Sequence, residues 1–114
     1  MQQICAVYKF KENPDICDIG CDDGMISYGI FKQLKAHSLT MFDPYGTFFD
    51  KKKLSSNCVY NKCAFQISLN TYDVVMLITC LHHITDPEHL VNQIYLSLKD
   101  DGLVIVREHL VETN

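Results

Sequence analysis

The run Asp73-Val74-Val75-Met76-Leu77-Ile78 constrains the fold more than any other stretch of the chain. Five consecutive apolar residues leave no wet face, so the run predicts a strand covered on both sides, as in a parallel sheet flanked by helices. The remaining pattern agrees. Ile16 to Ile19 reads as a first strand ending in Gly20. Asp22-Asp23-Gly24 opens a helix running to about Lys35, with Ile26, Ile30, Phe31 and Leu34 at helical spacing and acids at its start to suit the positive helix end. Ser38 to Phe42 is a second strand, stopped by the turn signal Asp43-Pro44-Tyr45-Gly46. A weak third strand covers Cys58 to Tyr60. Asp86-Pro87-Glu88 supplies an N-cap, a proline at the first helical position and an acid, opening a helix to about Leu98. Asp100-Asp101-Gly102 turns the chain into a fifth strand, Leu103 to Val106. Residues 1–12 fit helix and strand equally. Strands separated by helices predict βαβ units with right-handed crossovers, hence an α/β fold with helices on both faces of an open parallel sheet. Ligands in such sheets bind at the carboxyl ends of the strands, where the strand order reverses.

The 114 residues are one domain with enough apolar material, 47%, for a core. Ten basic against 14 acidic residues give a net charge of −4, which argues against general electrostatic grip on nucleic acid. No apolar run reaches the length of a membrane span, and Met1-Gln2-Gln3-Ile4-Cys5 lacks the charged and apolar regions of a signal peptide. Six cysteines without such a signal are expected to be reduced thiols in a cytoplasmic protein. Cys17, Cys21, Cys58 and Cys63 could be combined with His82 and His83 into a zinc site on paper, but no C-x-x-C pair exists, and buried apolar thiols are the better reading; no metal is expected. Lys51-Lys52-Lys53 reads as a solvated face, with a phosphate-contacting patch as the alternative.

The stretch with chemistry in it is Cys17-Asp18-Ile19-Gly20-Cys21-Asp22-Asp23-Gly24. It follows a strand and precedes a helix, and Asp43 stands at the end of the second strand, where an acid can hold ribose hydroxyls. A dinucleotide would need G-x-G-x-x-G, and the second and third glycine positions here are Asp22 and Met25. Asp22 and Asp23 would also oppose a pyrophosphate. A ligand with ribose, adenine and a positive centre, but no phosphate, is the better electrostatic match.

Three blocks resemble the class I methyltransferases that use S-adenosylmethionine (SAM). Ile16 to Gly24 resembles their first motif. Tyr72 to Pro87, with Leu81-His82-His83 and Asp86-Pro87, resembles the region of their fourth strand. Leu98-Lys99-Asp100-Asp101-Gly102 followed by Leu103 to Val106 resembles the block leading into strand five. The resemblance runs from about residue 14 to 110. It implies a Rossmann-like, doubly wound, mostly parallel sheet of about five strands in the order 3-2-1-4-5. It implies SAM as cofactor and S-adenosylhomocysteine as product. It places Asp18 near the methionine amino group, Gly20, Cys21, Asp22 and Gly24 in the cradle around it, and Asp43 with Pro44 at the ribose. Cys63 and Ala64 fall beside adenine, and Leu77 to Thr79 at the methionine end. Two positions depart from the family pattern. Asp22 stands where the middle glycine is usual, a replacement that aspartate tolerates better than most residues in left-handed backbone. Cys63 stands where an acid is expected, leaving a backbone amide or Gln66 to meet the adenine amino group.

Methyl transfer from SAM is displacement at an activated carbon, so positioning dominates and a base is needed only when the acceptor must lose a proton. His82 and His83 are the candidate bases, against a helix-start or packing role. Arg107-Glu108-His109 are candidates for acceptor contact, and Tyr45, Phe48 and Phe49 for stacking, against surface and packing roles. Asp43 has an alternative role in an Asx-turn before Pro44. The Lys-rich, Arg-poor composition resembles small viral members of the family, which implies an RNA cap as acceptor and a host-cytoplasmic location; a small-molecule acceptor stands beside it. A non-catalytic SAM-binding subunit acting through a partner and a plain nucleotide-binding module are the rival functions. Members of the family commonly continue past strand five into an antiparallel strand pair. The present sequence lacks that pair, so the strand-five edge is expected to be covered by a second copy or a partner chain.

Overall fold

The fourth strand is buried at all six of its positions, as its unbroken apolar run requires. The computed structural model describes residues 11–77 and 85–107. In chain order the elements are β1 (Asp15–Ile19), α1 (Met25–Gln33), β2 (Ser38–Phe42), β3 (Cys58–Asn61), β4 (Tyr72–Leu77), α2 (Pro87–Ser97) and β5 (Leu98–Val106), with a 3-10 turn at Lys51–Lys53. All neighbouring strands pair in parallel, in the order β3-β2-β1-β4-β5, which is a Rossmann-like sheet. The chain winds outward from β1 through β2 to β3, then returns to β4 on the other side of β1. The switch point therefore lies between β1 and β4.

Right-handed crossovers in opposite directions put helices on opposite faces. On one face Ile16, Leu39, Met41, Val74 and Met76 pack against Tyr28, Ile30, Phe31 and Leu34 of the α1 region. On the other, Cys17, Phe42, Val75 and Leu77 pack against Leu90 and Ile94 of α2. The alternate-residue period of each strand sorts these side chains between the two cores. Asp86 caps α2, its Oδ1 accepting from the His89 N–H at 3.1 Å, with Pro87 following as expected.

Three expectations are corrected. Only two of the four connections contain an α-helix. The β2–β3 connection has just the 3-10 turn, and residues 62–71 between β3 and β4 are irregular, held instead to the end of α2 by Asn70 N–H to Leu96 O and Thr71 N–H to Ser97 O, at 3.0 and 2.9 Å. Neither segment carries an apolar stripe of helical period. Second, Gly24 rather than an acid caps α1, and no acid lies in its first turn; Asp23 acts from outside, accepting the Met25 N–H at 3.0 Å. Third, β5 begins at Leu98, and Asp100-Asp101-Gly102 forms an irregularity inside it rather than a turn before it. Tyr72 pairs with Leu98 and Val74 already with Leu103, with Asp101 in left-handed backbone at φ 63°.

That irregularity carries a clamp. Lys99 reaches Asp15 Oδ2 at 2.7 Å and Asp73 Oδ2 at 3.3 Å, joining β5 to β1 and β4 at the amino ends of the strands. Asp15 also accepts from Ser38 at 2.6 Å and pairs with His37 at 2.8 Å. Burial pushes the Asp15 carboxyl up, but the hydrogen bonds from Lys99, Ser38 and His37 outweigh it and hold it at about 2. Among the described residues no helix is long and apolar enough to cross a membrane.

Lys99→Met is expected to lower stability at pH 7 by about 1.5–3 kcal/mol, the worth of a hydrogen bond to a charged group, measured by urea unfolding. Asp15 stabilises the fold above its ordinary value of 3.8, and that contribution is lost as pH falls through its folded value of about 2. The deficit of the variant should therefore shrink over that window; a deficit independent of pH would leave Lys99 with packing alone.

Candidate functional site

At the carboxyl ends of β1 and β2 the chain makes two turns that hold each other. After β1, the Gly20 N–H donates to Phe42 O at 2.7 Å, and Gly24 N–H to Cys21 O at 3.0 Å closes a tight turn. Asp22 lies in left-handed backbone at φ 57°, so aspartate does adopt the conformation for which a glycine is usual. Gly24 is left-handed as well, at φ 76°, and an added Cβ would meet the Phe48 ring and the Met41 sulfur at 2.8 and 2.9 Å. After β2, Asp43 Oδ1 accepts from Tyr45 N–H at 2.8 Å and Gly46 N–H at 3.0 Å, the Asx-turn considered above. Its other oxygen accepts the Asp22 N–H at 2.7 Å. One carboxylate thus orders both turns. The Tyr60 hydroxyl, from the end of β3, donates to the Asp22 carbonyl.

These turns form one wall of a cleft of about 1010 Å³, open at the switch point. Seven of the cofactor candidates from the sequence line it: Asp18, Gly20, Cys21, Asp22, Asp43, Pro44 and Ala64. Gly24 does not; it lies below the loop against the α1 core. Cys63 packs against the core of the α2 face instead of lining the cleft. Thr79, His82, His83, Glu108 and His109 lie outside the described residues. Leu77 is buried in the core, and Arg107 is exposed beyond β5. Phe48 and Phe49 pack with Tyr28 in the α1 core, whereas Tyr45 is 92% exposed at the cleft.

The opposite wall was not visible in the sequence as a site. Thr85, Asp86, His89, Leu90 and Gln93 line it from the start of α2. His89 and Gln93 are four residues apart and so share a helix face, next to the buried stripe of Leu90 and Ile94. That adjacency is the only signal, and any amphipathic helix has such polar flanks.

Asp18 is the exceptional group. It is 3% exposed, and its Oδ1 has no hydrogen-bond partner among the described residues. Burial pushes its carboxyl up to about 7; the Ser27 hydroxyl pulls the other way, and the nearby charge of Asp43 adds to the rise. Burial pushes the Cys21 thiol, beside it, up to about 12, so Cys21 is no thiolate. An unpaired, buried carboxylate oxygen at a ligand cleft fits a cationic ligand group, as an amino group or sulfonium would be.

A parallel sheet with its cleft at the switch point, an acid at the end of each of the first two strands and a glycine turn between places the chain in the Rossmann-like class. The family model described as a methyltransferase domain matches residues 4–113, and the chain belongs to that family. No curated protein matches it. Among solved structures, coclaurine N-methyltransferase bound to N-methylheliamine and S-adenosylhomocysteine is similar, with a TM-score of 0.71 at 17% identity over 92% of this chain. A putative S-adenosylmethionine-dependent methyltransferase from Listeria monocytogenes gives 0.65 at 16% identity over 86% of it. The chain spans 34% and 48% of the lengths of these two.

Asp18→Asn is expected to make the folded chain more stable at pH 8, by up to about 4 kcal/mol, and nearly unchanged at pH 4. The sign follows from a folded value raised to about 7 above 3.8: the cost of a buried charge is absent below the lower value and complete above the higher. Thermal unfolding at the two pH values measures it, and equal effects at both would mean that Asp18 carries no buried charge.

Proposed function

We propose that this chain is a SAM-dependent methyltransferase domain whose cofactor lies in the cleft at the switch point. The observation that carries this reading is the buried Asp18 Oδ1, which has no hydrogen-bond partner among the described residues. The α-ammonium of SAM matches that oxygen in charge and hydrogen-bonding capacity, as no phosphate-bearing dinucleotide would. Gly20, Cys21 and Asp22 border the methionine, and Asp43 with Pro44 borders the ribose. Asp43 Oδ1 and Oδ2 already accept backbone N–H groups, yet a carboxylate has about four lone-pair sites, so room for a hydroxyl remains. Ala64 and the neighbouring Phe65 offer an apolar wall to adenine. Bound SAM supplies a methyl group on a sulfonium, activated for displacement. The chain's part is to hold the acceptor in line and keep water from the reacting atoms. Thr79, His82 and His83 follow β4 in the chain, and the two histidines are proposed as bases on sequence grounds alone.

An RNA cap as acceptor needs cations for its phosphates. Lys51, Lys52 and Lys53 lie on the 3-10 turn, with Lys53 5.3 Å above the Tyr28 ring, and Lys62 lies 3.5 Å from Thr47. None of them lines the cleft. A small-molecule acceptor is therefore the reading we favour.

Isothermal calorimetry should give saturable SAM binding, undiminished by excess NAD. Asp43→Ala should weaken it at least 10-fold, since the change frees three N–H groups and loosens both turns. Absence of SAM binding to the folded protein would sink the proposal. Binding without methyl transfer to any acceptor pool would favour a non-catalytic subunit.

A further inference from the structure

We infer that β5 pairs with the β5 of a second copy of this chain, antiparallel, about a two-fold axis at Val104. The inference does not depend on the methyltransferase reading. β5 ends the sheet order, and among the described residues it has a strand on one side only, β4. The Arg107 N–H donates to the Leu77 carbonyl of β4 at 2.9 Å. Backbone groups along a strand alternate in direction, so those of Val104 and Val106 project from the opposite, outer edge. These are the donors and acceptors that a further strand takes up.

The two edges of the sheet are not alike. β3, at the other edge, has four residues, an antiparallel bridge between Ser55 and Cys58 at its start, and Lys62 directly after its last residue. A short strand followed by a lysine is a guarded edge. On β5 the run Leu103-Val104-Ile105-Val106 carries no charge. Val104 and Val106 lie level with Val75 and Leu77, hence on the face that carries α2. α2 buries Val75 and Leu77 but leaves Val104 and Val106 exposed. Val91 and Tyr95, four residues apart on α2, are exposed as well. His89 and Gln93 line the cleft, so the flank with Val91 and Tyr95 faces the β5 side. Flank and edge strand present apolar side chains to the same partner.

Charge selects the partner and its direction. Asp100 and Asp101 stand before the apolar run and Arg107 directly after it. Arg107 and Asp100 are exposed, and neither makes an ion pair among the described residues. A parallel neighbour of the same sequence would set arginine beside arginine and acid beside acid. Antiparallel pairing centred on Val104 brings Arg107, three residues past the axis, level with the acidic irregularity on the other side of it, and does so twice. In that register the two Val104 residues exchange both of their backbone hydrogen bonds, and their side chains meet on the α2 face. The edge is complementary to itself, as a closed two-fold pairing needs. Two five-stranded sheets become one continuous sheet, with the clefts opening at its opposite ends.

Sedimentation equilibrium of the full chain at neutral pH tests this. Dimers are expected, their fraction rising with concentration up to about 100 µM, with no larger species. Arg107→Asp and Asp100→Arg, both at exposed positions, should each weaken dimerisation by about 10-fold through like-charge contacts. An equimolar mixture of the two variants should restore it, because each arginine then meets an acid. Val104→Lys, which sets two ammonium groups at the axis, should abolish pairing. A chain that stays monomeric over the whole range, or that forms an open series of larger species, overturns the inference. So does dimerisation that any of the three substitutions leaves unchanged. Charge variants whose circular dichroism matches that of the original chain, yet which stay monomeric when mixed, overturn it as well.

Discussion

The geometry of the cleft depends on a single carboxylate. Asp43 takes two N–H groups from its own turn on one oxygen and the Asp22 N–H on the other, so the turns after β1 and β2 cannot move separately. Without it the left-handed Asp22 of the first turn would lose its brace, and the N–H groups of Asp22, Tyr45 and Gly46 would lose their acceptor. Gly46 shows how closely they meet, since a Cβ there would collide with the Asp22 carbonyl and the Tyr60 hydroxyl. Rigid loops are what a site needs when positioning is its main contribution.

Two aspartates three residues apart on β1 show how the fold divides its work. Asp15, at the amino end of the sheet, has Lys99, Ser38 and His37 around it and is held at about 2. Asp18, at the carboxyl end, is more deeply buried, has one oxygen without a partner among the described residues, and is pushed up to about 7. The first joins three strands and favours folding. The second disfavours folding increasingly as pH rises above 3.8, in full above about 7, and a cationic ligand would compensate it. The block Leu98-Lys99-Asp100-Asp101-Gly102 gains a physical meaning from the first: its bulge puts the Lys99 ammonium on β1 and β4.

Much of this was legible in the residues. The Ser38–Phe42 strand, the all-buried β4, the Asp86 cap and the 3-2-1-4-5 order follow from apolar runs, turn residues and the family resemblance. What sequence could not supply was local competition. Asp100-Asp101-Gly102 has turn chemistry, but pairing with β4 on either side turns it into a strand irregularity. Residues 62–71 are bounded by strands that predict a crossover helix, yet their hydrogen bonds go to the end of α2 instead. In the site, Asp18 and Asp43 were visible because one stands in the strand-to-glycine-turn stretch before the first helix and the other at the end of the second strand. His89 and Gln93 were not, because only the docking of α2 through Leu90 and Ile94 decides which of its polar flanks meets the cleft.

The central claim is that Asp18 awaits a cationic group of the cofactor, and proton linkage tests it most directly. A carboxyl at about 7 is roughly half protonated at neutral pH, and an ammonium placed on it favours the ionised form. Calorimetric titration of SAM at pH 7, repeated in buffers of different ionisation enthalpy, should therefore show release of about half a proton, fading towards zero at pH 9. Binding with no proton release at pH 7, or with proton uptake, would contradict the account.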